Sequence, residues 1–138
     1  MKIKVKNSGI VKLTAKKHPC RGHLFVGEAA RHIPFSIRRI YFINNLKDSL
    51  SNRGNHAHKK LKQAIFCLSG SFILNLDDGK NKQKILMKNP EIGIILGPKL
   101  WHSMGHFSKG CVILVLASGY YKESDYIRKH EDFLKFVL

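Results

Sequence analysis

A chain of 138 residues with 43% hydrophobic side chains has room for one sizeable core and reads as one domain, residues 1–138. It carries 25 Lys and Arg against 9 Asp and Glu, a formal charge of +16 that favours anionic ligands. Lysines at 2, 4 and 6 and at 80, 82 and 84 recur with period two, as on a solvated strand face, and no nucleic-acid motif accompanies them, so nucleic acid is set aside as a partner. No apolar run reaches the roughly 20 residues of a membrane span, and residues 1–6 lack the apolar core of a secretory signal. Three cysteines at irregular spacings offer no disulfide framework, and the expected compartment is the reducing cytoplasm.

In chain order, residues 3–13 alternate loosely and predict one or two short strands near a sheet edge. Cys20-Arg21-Gly22-His23 reads as a turn before a strand at Leu24-Phe25-Val26. Residues 29–34 read as a loop, and residues 37–43 return to β character. Residues 44–52 are polar and predict a loop over the site. In Arg53-Gly54-Asn55-His56-Ala57-His58, the two histidines are two apart and project from one face of a strand. Residues 64–68 make a buried strand that ends at Gly70. Phe72, Leu74 and Leu76 alternate with Ser71, Ile73, Asn75 and Asp77, and Asp77-Asp78-Gly79-Lys80 supplies a hairpin turn into a strand over 82–87. Asn89-Pro90-Glu91 and Gly97-Pro98 bracket a strand over 92–96, and residues 101–107 and 111–117 add two more. Only the C-terminus reads as helical, with Ser124 as N-cap, Asp125 in the first turn, and Tyr126, Ile127, His130, Phe133, Leu134 and Val137 at helical spacing. About ten short strands and one C-terminal α-helix predict an all-β jelly-roll sandwich or barrel.

Such a fold encloses a cavity, and inward polar side chains need a reason because unpartnered burial is costly. His56 and His58 are the first candidates. The third is His102, which follows a Gly-Pro turn. Structural, metal-binding and acid/base roles are all open to this trio, while His18, His32 and His130 read as surface residues and, for the more ambiguous His23 and His106, a structural role stays ahead. The spacing resembles the first motif of the cupins, a His-x-His pair followed by Glu and then Gly, except that Gln63 occupies the Glu position. A neutral amide is a poorer ligand for a divalent cation than a carboxylate, so the site reads as a cupin site without its metal. Arg21 and Arg53 each precede a glycine, where a turning backbone can aim a guanidinium fork at the phosphates of a diphosphate. In Ile40-Tyr41-Phe42-Ile43 either Tyr41 or Phe42, not both, faces the cavity. A phenol there could donate to a sugar oxygen or a developing oxyanion. Trp101 reads as core in preference to a base-stacking wall.

Residues 33–41, 53–61, 76–79, Trp101-His102 and 116–128 together resemble, in order, the dTDP-sugar 3,4-ketoisomerases. That resemblance implies a metal-free jelly roll related to the dTDP-4-dehydrorhamnose 3,5-epimerases, and a homodimer that exchanges N-terminal strands. The implied substrate is dTDP-4-oxo-6-deoxyglucose, converted to a 3-oxo-6-deoxyhexose on the way to aminosugars of surface polysaccharides. His56, His58 and His102 then stand as the family's active-site histidines, with Tyr41 as its tyrosine. The chemistry agrees: the C3 proton must leave, an enediol form, and a proton return at C4, which imidazole with its ordinary pKa near ~6.5 can manage without a cofactor. The rivals are a 3,5-epimerase and a non-catalytic nucleotide-sugar-binding cupin.

Overall fold

Twelve strands carry the alternation read above in the computed structural model, which describes residues 1–47 and 52–138. They are β1 (Ser8–Lys12), β2 (Thr14–His18), β3 (Gly22–Val26), β4 (Arg39–Ile43), β5 (Asn52–His58), β6 (Gln63–Ser69), β7 (Phe72–Asp77), β8 (Lys82–Met87), β9 (Ile92–Leu96), β10 (Trp101–Gly105), β11 (Val112–Ala117) and β12 (Tyr126–Ile127). One five-stranded sheet has the order β1-β9-β6-β11-β4, a second β12-β5-β10-β7-β8, and β2 and β3 form a separate hairpin. All these strand pairs are antiparallel. The architecture is the all-β sandwich that the sequence predicts.

Cross-strand register explains the packing, since residues directly opposite one another in an antiparallel ladder share a face. Val115 faces Tyr41 on one side and Ile65 on the other, and Ile65 faces Ile94. This rung points inward and meets Phe72, Leu74, Leu76 and Ile85 of the second sheet in one core. Each fully buried aliphatic or aromatic side chain there contributes about 1.5–3 kcal/mol. The adjacent rung, Phe42, Leu114 and Phe66, therefore points outward. Tyr41 is the inward residue of its pair, and Phe42 is 65% exposed.

The C-terminus departs from the reading of its sequence. The α-helix, α1, spans His130–Val137 with Lys129 at its N-cap, while Ser124 lies in a single 3-10 turn, Glu123–Asp125. Asp125 does not begin the helix because its carboxylate accepts the backbone N–H groups of Lys60 (2.9 Å) and Leu61 (3.1 Å), and its carbonyl accepts that of Lys59 (2.9 Å). With the turn after β5 holding Asp125, Tyr126 and Ile127 pair with His58 and Ala57 as a strand. Helical spacing from 126 onward is real only for Phe133 and its neighbours, which pack with Ile127 on the outside of the second sheet. His130 is half-buried, not superficial: its Nε2 lies 2.8 Å from Asp77 Oδ2 and its ring abuts Trp101. Of the loop expected over residues 44–52, positions 48–51 lie outside the described residues, and Asn52 already belongs to β5. Among the described residues no helix is long and apolar enough to cross a membrane.

Candidate active site

The ladder between β5 and β10 sets His56 opposite His102, and the short β12 sets Tyr126 opposite His58. All four rings meet on the inner face. Ring centroids lie 4.9 Å apart for His56 and His58, 4.7 Å for His56 and His102, and 5.7 Å for His58 and His102. Tyr126 closes the group at 4.5 Å from His58 and 4.9 Å from His56.

A bulge interrupts that ladder. Pairing shifts between His102 and Ser103, so that His102 faces His56 but Ser103 faces Gly54, leaving Asn55 as the extra residue. Gly54 and Asn55 both sit in the left-handed region, at φ 84° and 61°. A Cβ on Gly54 would lie 3.0 Å from the His102 carbonyl oxygen, so the close approach needs glycine as well as its positive φ. The extra residue moves Arg53 opposite Met104, onto the histidine face, where strict alternation from His56 would have turned it outward. Arg53 thus lines the same cavity, of about 420 Å³, as Arg39, Tyr41, His56, Tyr126 and Arg128.

From the opposite sheet, the Tyr41 hydroxyl donates to Gln63 Oε1 at 2.5 Å, and Gln63 is buried. Arg39, two residues before Tyr41 on the same strand face, holds its guanidinium 5.3 Å from the Tyr41 ring, with Nε and Nη2 buried and unpartnered among the described residues. At the rim, Arg128 makes a two-point ion pair with Glu123 (2.7 and 2.8 Å), which also accepts from the Tyr121 hydroxyl. The same guanidinium lies 4.4 Å over the Tyr126 ring.

Burial governs the titration of the site. It holds the His58 imidazolium down to about 4, aided by the neighbouring His56, and lowers His56 as well. His102 is pushed well below the usual imidazole range by its burial and then by His56 and His58. All three are therefore neutral at pH 7 and can act as bases. The His102 Nδ1 lies 3.2 Å from the Leu100 carbonyl, which as an acceptor makes Nδ1–H the protonated nitrogen and leaves Nε2 with its lone pair. His56 Nδ1 and both nitrogens of His58 are buried without a hydrogen-bond partner among the described residues. Burial raises Tyr41 to about 12, with Tyr126 adding to the rise and Arg39 and Arg53 opposing it.

The three histidines each offer a ring nitrogen, and these atoms lie within 4.8 Å of one another, a spacing that could surround a divalent cation. The donor set holds no carboxylate, and the Gln63 oxygen is already taken by the Tyr41 hydroxyl.

Of the residues singled out in the sequence, Tyr41, Arg53 and His56 line the cavity, and His58 and His102 pack against His56 behind it. Arg21 is not among the residues lining the cavity; it is exposed at the turn of the β2–β3 hairpin, which pairs with neither large sheet. Arg39, Tyr126 and Arg128 went unnoticed in the sequence. Counting back by two from Tyr41 finds Arg39, whereas Tyr126 and Arg128 were hidden by the apparent helix.

Comparison with known proteins agrees with this geometry. The family FdtA (WxcM-like, C-terminal) matches residues 6–138. The chain is 48% identical over 117 residues, 85% of its length and 84% of the relative's, to the TDP-4-oxo-6-deoxy-alpha-D-glucose-3,4-oxoisomerase of Aneurinibacillus thermoaerophilus. Among solved structures, a mutant of the 3,4-ketoisomerase QdtA from Thermoanaerobacterium thermosaccharolyticum, in complex with TDP-4-keto-6-deoxyglucose, superposes with a TM-score of 0.92. It is 37% identical, with 96% of this chain and 95% of that one covered. The WlaRB TDP-quinovose 3,4-ketoisomerase of Campylobacter jejuni gives 0.89 at 41% identity, covering 95% and 99%. The sugar epimerase NovW of Streptomyces spheroides, at 13% identity and a TM-score of 0.76, shares the fold alone. The three neutral imidazoles, the facing phenol and these matches over nearly the full chain lead to one assignment: the chain belongs to the FdtA family of sugar 3,4-ketoisomerases.

Proposed function

We propose that this chain, acting as a single domain, moves the ketone of dTDP-4-oxo-6-deoxyglucose from C4 to C3. The observation that carries the reading is that His56, with His58 and His102 packed against its ring, lines one cavity with Tyr41, Arg39, Arg53 and Arg128. A neutral imidazole of the His56–His58 pair takes the C3 proton. Negative charge then develops on O4, where the Tyr41 hydroxyl favours it. An imidazolium returns a proton to C4, and transfer of the O3 proton to O4, through the Tyr41 hydroxyl, leaves the C3 ketone and the C4 hydroxyl. The reaction is an internal redox exchange and consumes no cofactor, while His102 supports the pair from the neighbouring strand. A metal held by the same nitrogens would remove the lone pairs that the proton transfers use, which favours a metal-free site. The arginines bind the diphosphate as planar forks.

The working unit is a homodimer. Ile40 (64% exposed) and Phe42 (65%) lie on the outer face of an edge strand, beside Leu114 and Leu116, and form an apolar surface suited to a second copy. Exchange of N-terminal strands would carry Arg21 of each chain toward the other's cavity. Unpaired cysteines at 20, 67 and 111 suit a reducing cytoplasm, and the product suits the synthesis of amino-deoxysugars for surface polysaccharides.

Proton NMR of dTDP-4-oxo-6-deoxyglucose incubated with the protein in heavy water tests the reading. The expected product is the 3-oxo sugar with deuterium at C4, since two imidazoles near a cavity mouth exchange with solvent between steps. Inversion at C3 or C5 without carbonyl movement would mean epimerisation, and binding of dTDP with unchanged sugar would mean a non-catalytic role.

A further inference from the structure

Gln63, at the start of β6, is buried behind Tyr41 and is left unused by the proposed proton transfers. It faces Ala117 and Leu96 in its two ladders and accepts the Tyr41 hydroxyl hydrogen at 2.5 Å. In that arrangement the phenol offers only lone pairs to anything else in the cavity. It cannot steady an oxyanion.

We infer that Gln63 is a positioning residue whose amide turns over during the reaction, and that this is why an amide and not a carboxylate stands there. Rotation by half a turn about its last carbon–carbon bond exchanges Oε1 for Nε2. The amide then donates N–H to the phenol oxygen, and the phenol hydrogen is released toward the substrate. A carboxylate has two acceptors and no donor, so it would hold the hydrogen in either orientation. Burial keeps Tyr41 protonated at neutral pH, with its pKa at about 12, so its hydrogen must be redirected and is not simply lost to solvent. If the hydrogen passes fully to O4 of the enediolate, the phenolate is held by Gln63 Nε2–H with Arg39 5.3 Å from the ring. The phenolate recovers its proton from the O3 hydroxyl as the C3 carbonyl forms, which leaves no net change.

This inference rests on the reading of Tyr41 as a donor to the substrate, and the test separates the two. kcat is measured from pH 5.5 to 8.5 for wild type, Gln63→Glu, Gln63→Met, Tyr41→Phe and the double variant Tyr41→Phe/Gln63→Glu, with dTDP affinity as the control for folding. Gln63→Glu should lose about a hundredfold at pH 8, where its carboxylate only accepts, and recover at least about tenfold by pH 5.5 as protonation restores a donor. Gln63→Met, which neither traps the hydrogen nor stabilises the phenolate, should lose about tenfold at every pH. Equal kcat for Gln63→Glu and wild type at pH 8, or a loss that does not vary with pH, would overturn the role of Gln63. Should Gln63→Glu fail to bind dTDP, Gln63→Met decides alone, and an unchanged kcat there sinks the inference. A fast Tyr41→Phe enzyme would instead remove Tyr41 from the reaction. In the double variant the pH-dependent part of the loss should vanish; its persistence would show that the introduced carboxylate acts on something other than the phenol, which also overturns the inference.

Discussion

Tyr126 stands directly opposite His58 in the β12–β5 ladder, and its ring covers both His58 and His56 edge-on. The Arg128 guanidinium lies 4.4 Å from the same ring, and Tyr126 covers part of the two imidazoles at the edge of the cavity. Tyr126→Ala should let water reach the pair and raise the His58 pKa from about 4 toward 6.5. Tyr126→Phe keeps the ring and should leave it low. Imidazole proton or carbon chemical shifts followed against pH distinguish the two; equal titration in both variants would show that Tyr126 does not shield the site.

The depressed histidines predict an acid limb on both activity and stability. Folded His58 binds its proton only near pH 4, whereas the unfolded chain binds it near 6.5, so the unfolded state holds more protons between these values. Its stabilising contribution is therefore present above about pH 6.5 and is lost as pH falls toward 4, the loss reaching about 2 kcal/mol by pH 5 from this residue. Urea midpoints at pH 7 and pH 5 should differ accordingly, and His58→Asn should flatten the difference. By the same logic the acid limb of kcat/KM should fall well below the pKa of an ordinary histidine. A limb centred at 6.5 would mean that the base is a solvent-exposed histidine.

Metal addition and removal test the donor set. His56, His58 and His102 can converge on a cation, but the lone pairs it would occupy are those needed for proton transfer. Exhaustive chelation should leave turnover unchanged, and excess Zn²⁺ should inhibit competitively with the nucleotide sugar. Loss of turnover on chelation, with rescue by one metal, would reassign the site.

Arg53 and Arg39 should act through binding. Replacing either with Lys removes the two-point fork while keeping the charge, so KM should rise about tenfold with kcat comparatively intact. Isothermal titration with dTDP checks this directly. Undiminished affinity in both variants would place the diphosphate elsewhere, with Arg21 and Arg128 the next candidates.

Gly54→Ala probes the bulge. The added Cβ would meet the His102 carbonyl at 3.0 Å and the Ser103 backbone at 3.2 Å, in a conformation that alanine adopts at a cost. About 1–3 kcal/mol of stability should go, with a fall in kcat because His56, His102 and Arg53 all hang on this register. Full activity with lowered stability would show that the site tolerates a shifted bulge.

Much of this was written in local pattern. The period-two alternation of β7 and β11, the Asp-Gly turn and the His56–Ala57–His58 spacing are short-range features, because a strand's pleat fixes side-chain direction over two residues wherever the strand lies. They sufficed for an all-β sandwich, a histidine pair on one face and the substitution of Gln63 for the cupin carboxylate. What tertiary structure decided were the events at which a ladder is negotiated between distant segments. Whether Tyr41 or Phe42 faced inward depended on β4 pairing with β11, more than 70 residues later, in the register that places Tyr41 opposite Val115. Arg53 reached the cavity only because Asn55 is left over when β5 meets β10, a count that neither strand contains by itself. Tyr126 reads as helical on spacing, yet the backbone of β5 supplied its hydrogen bonds first, and Asp125 was already holding the turn at Lys60 and Leu61. Backbone donors and acceptors must all be satisfied when buried, and which partner satisfies them is settled by the assembled sheet, not by the periodicity of one segment.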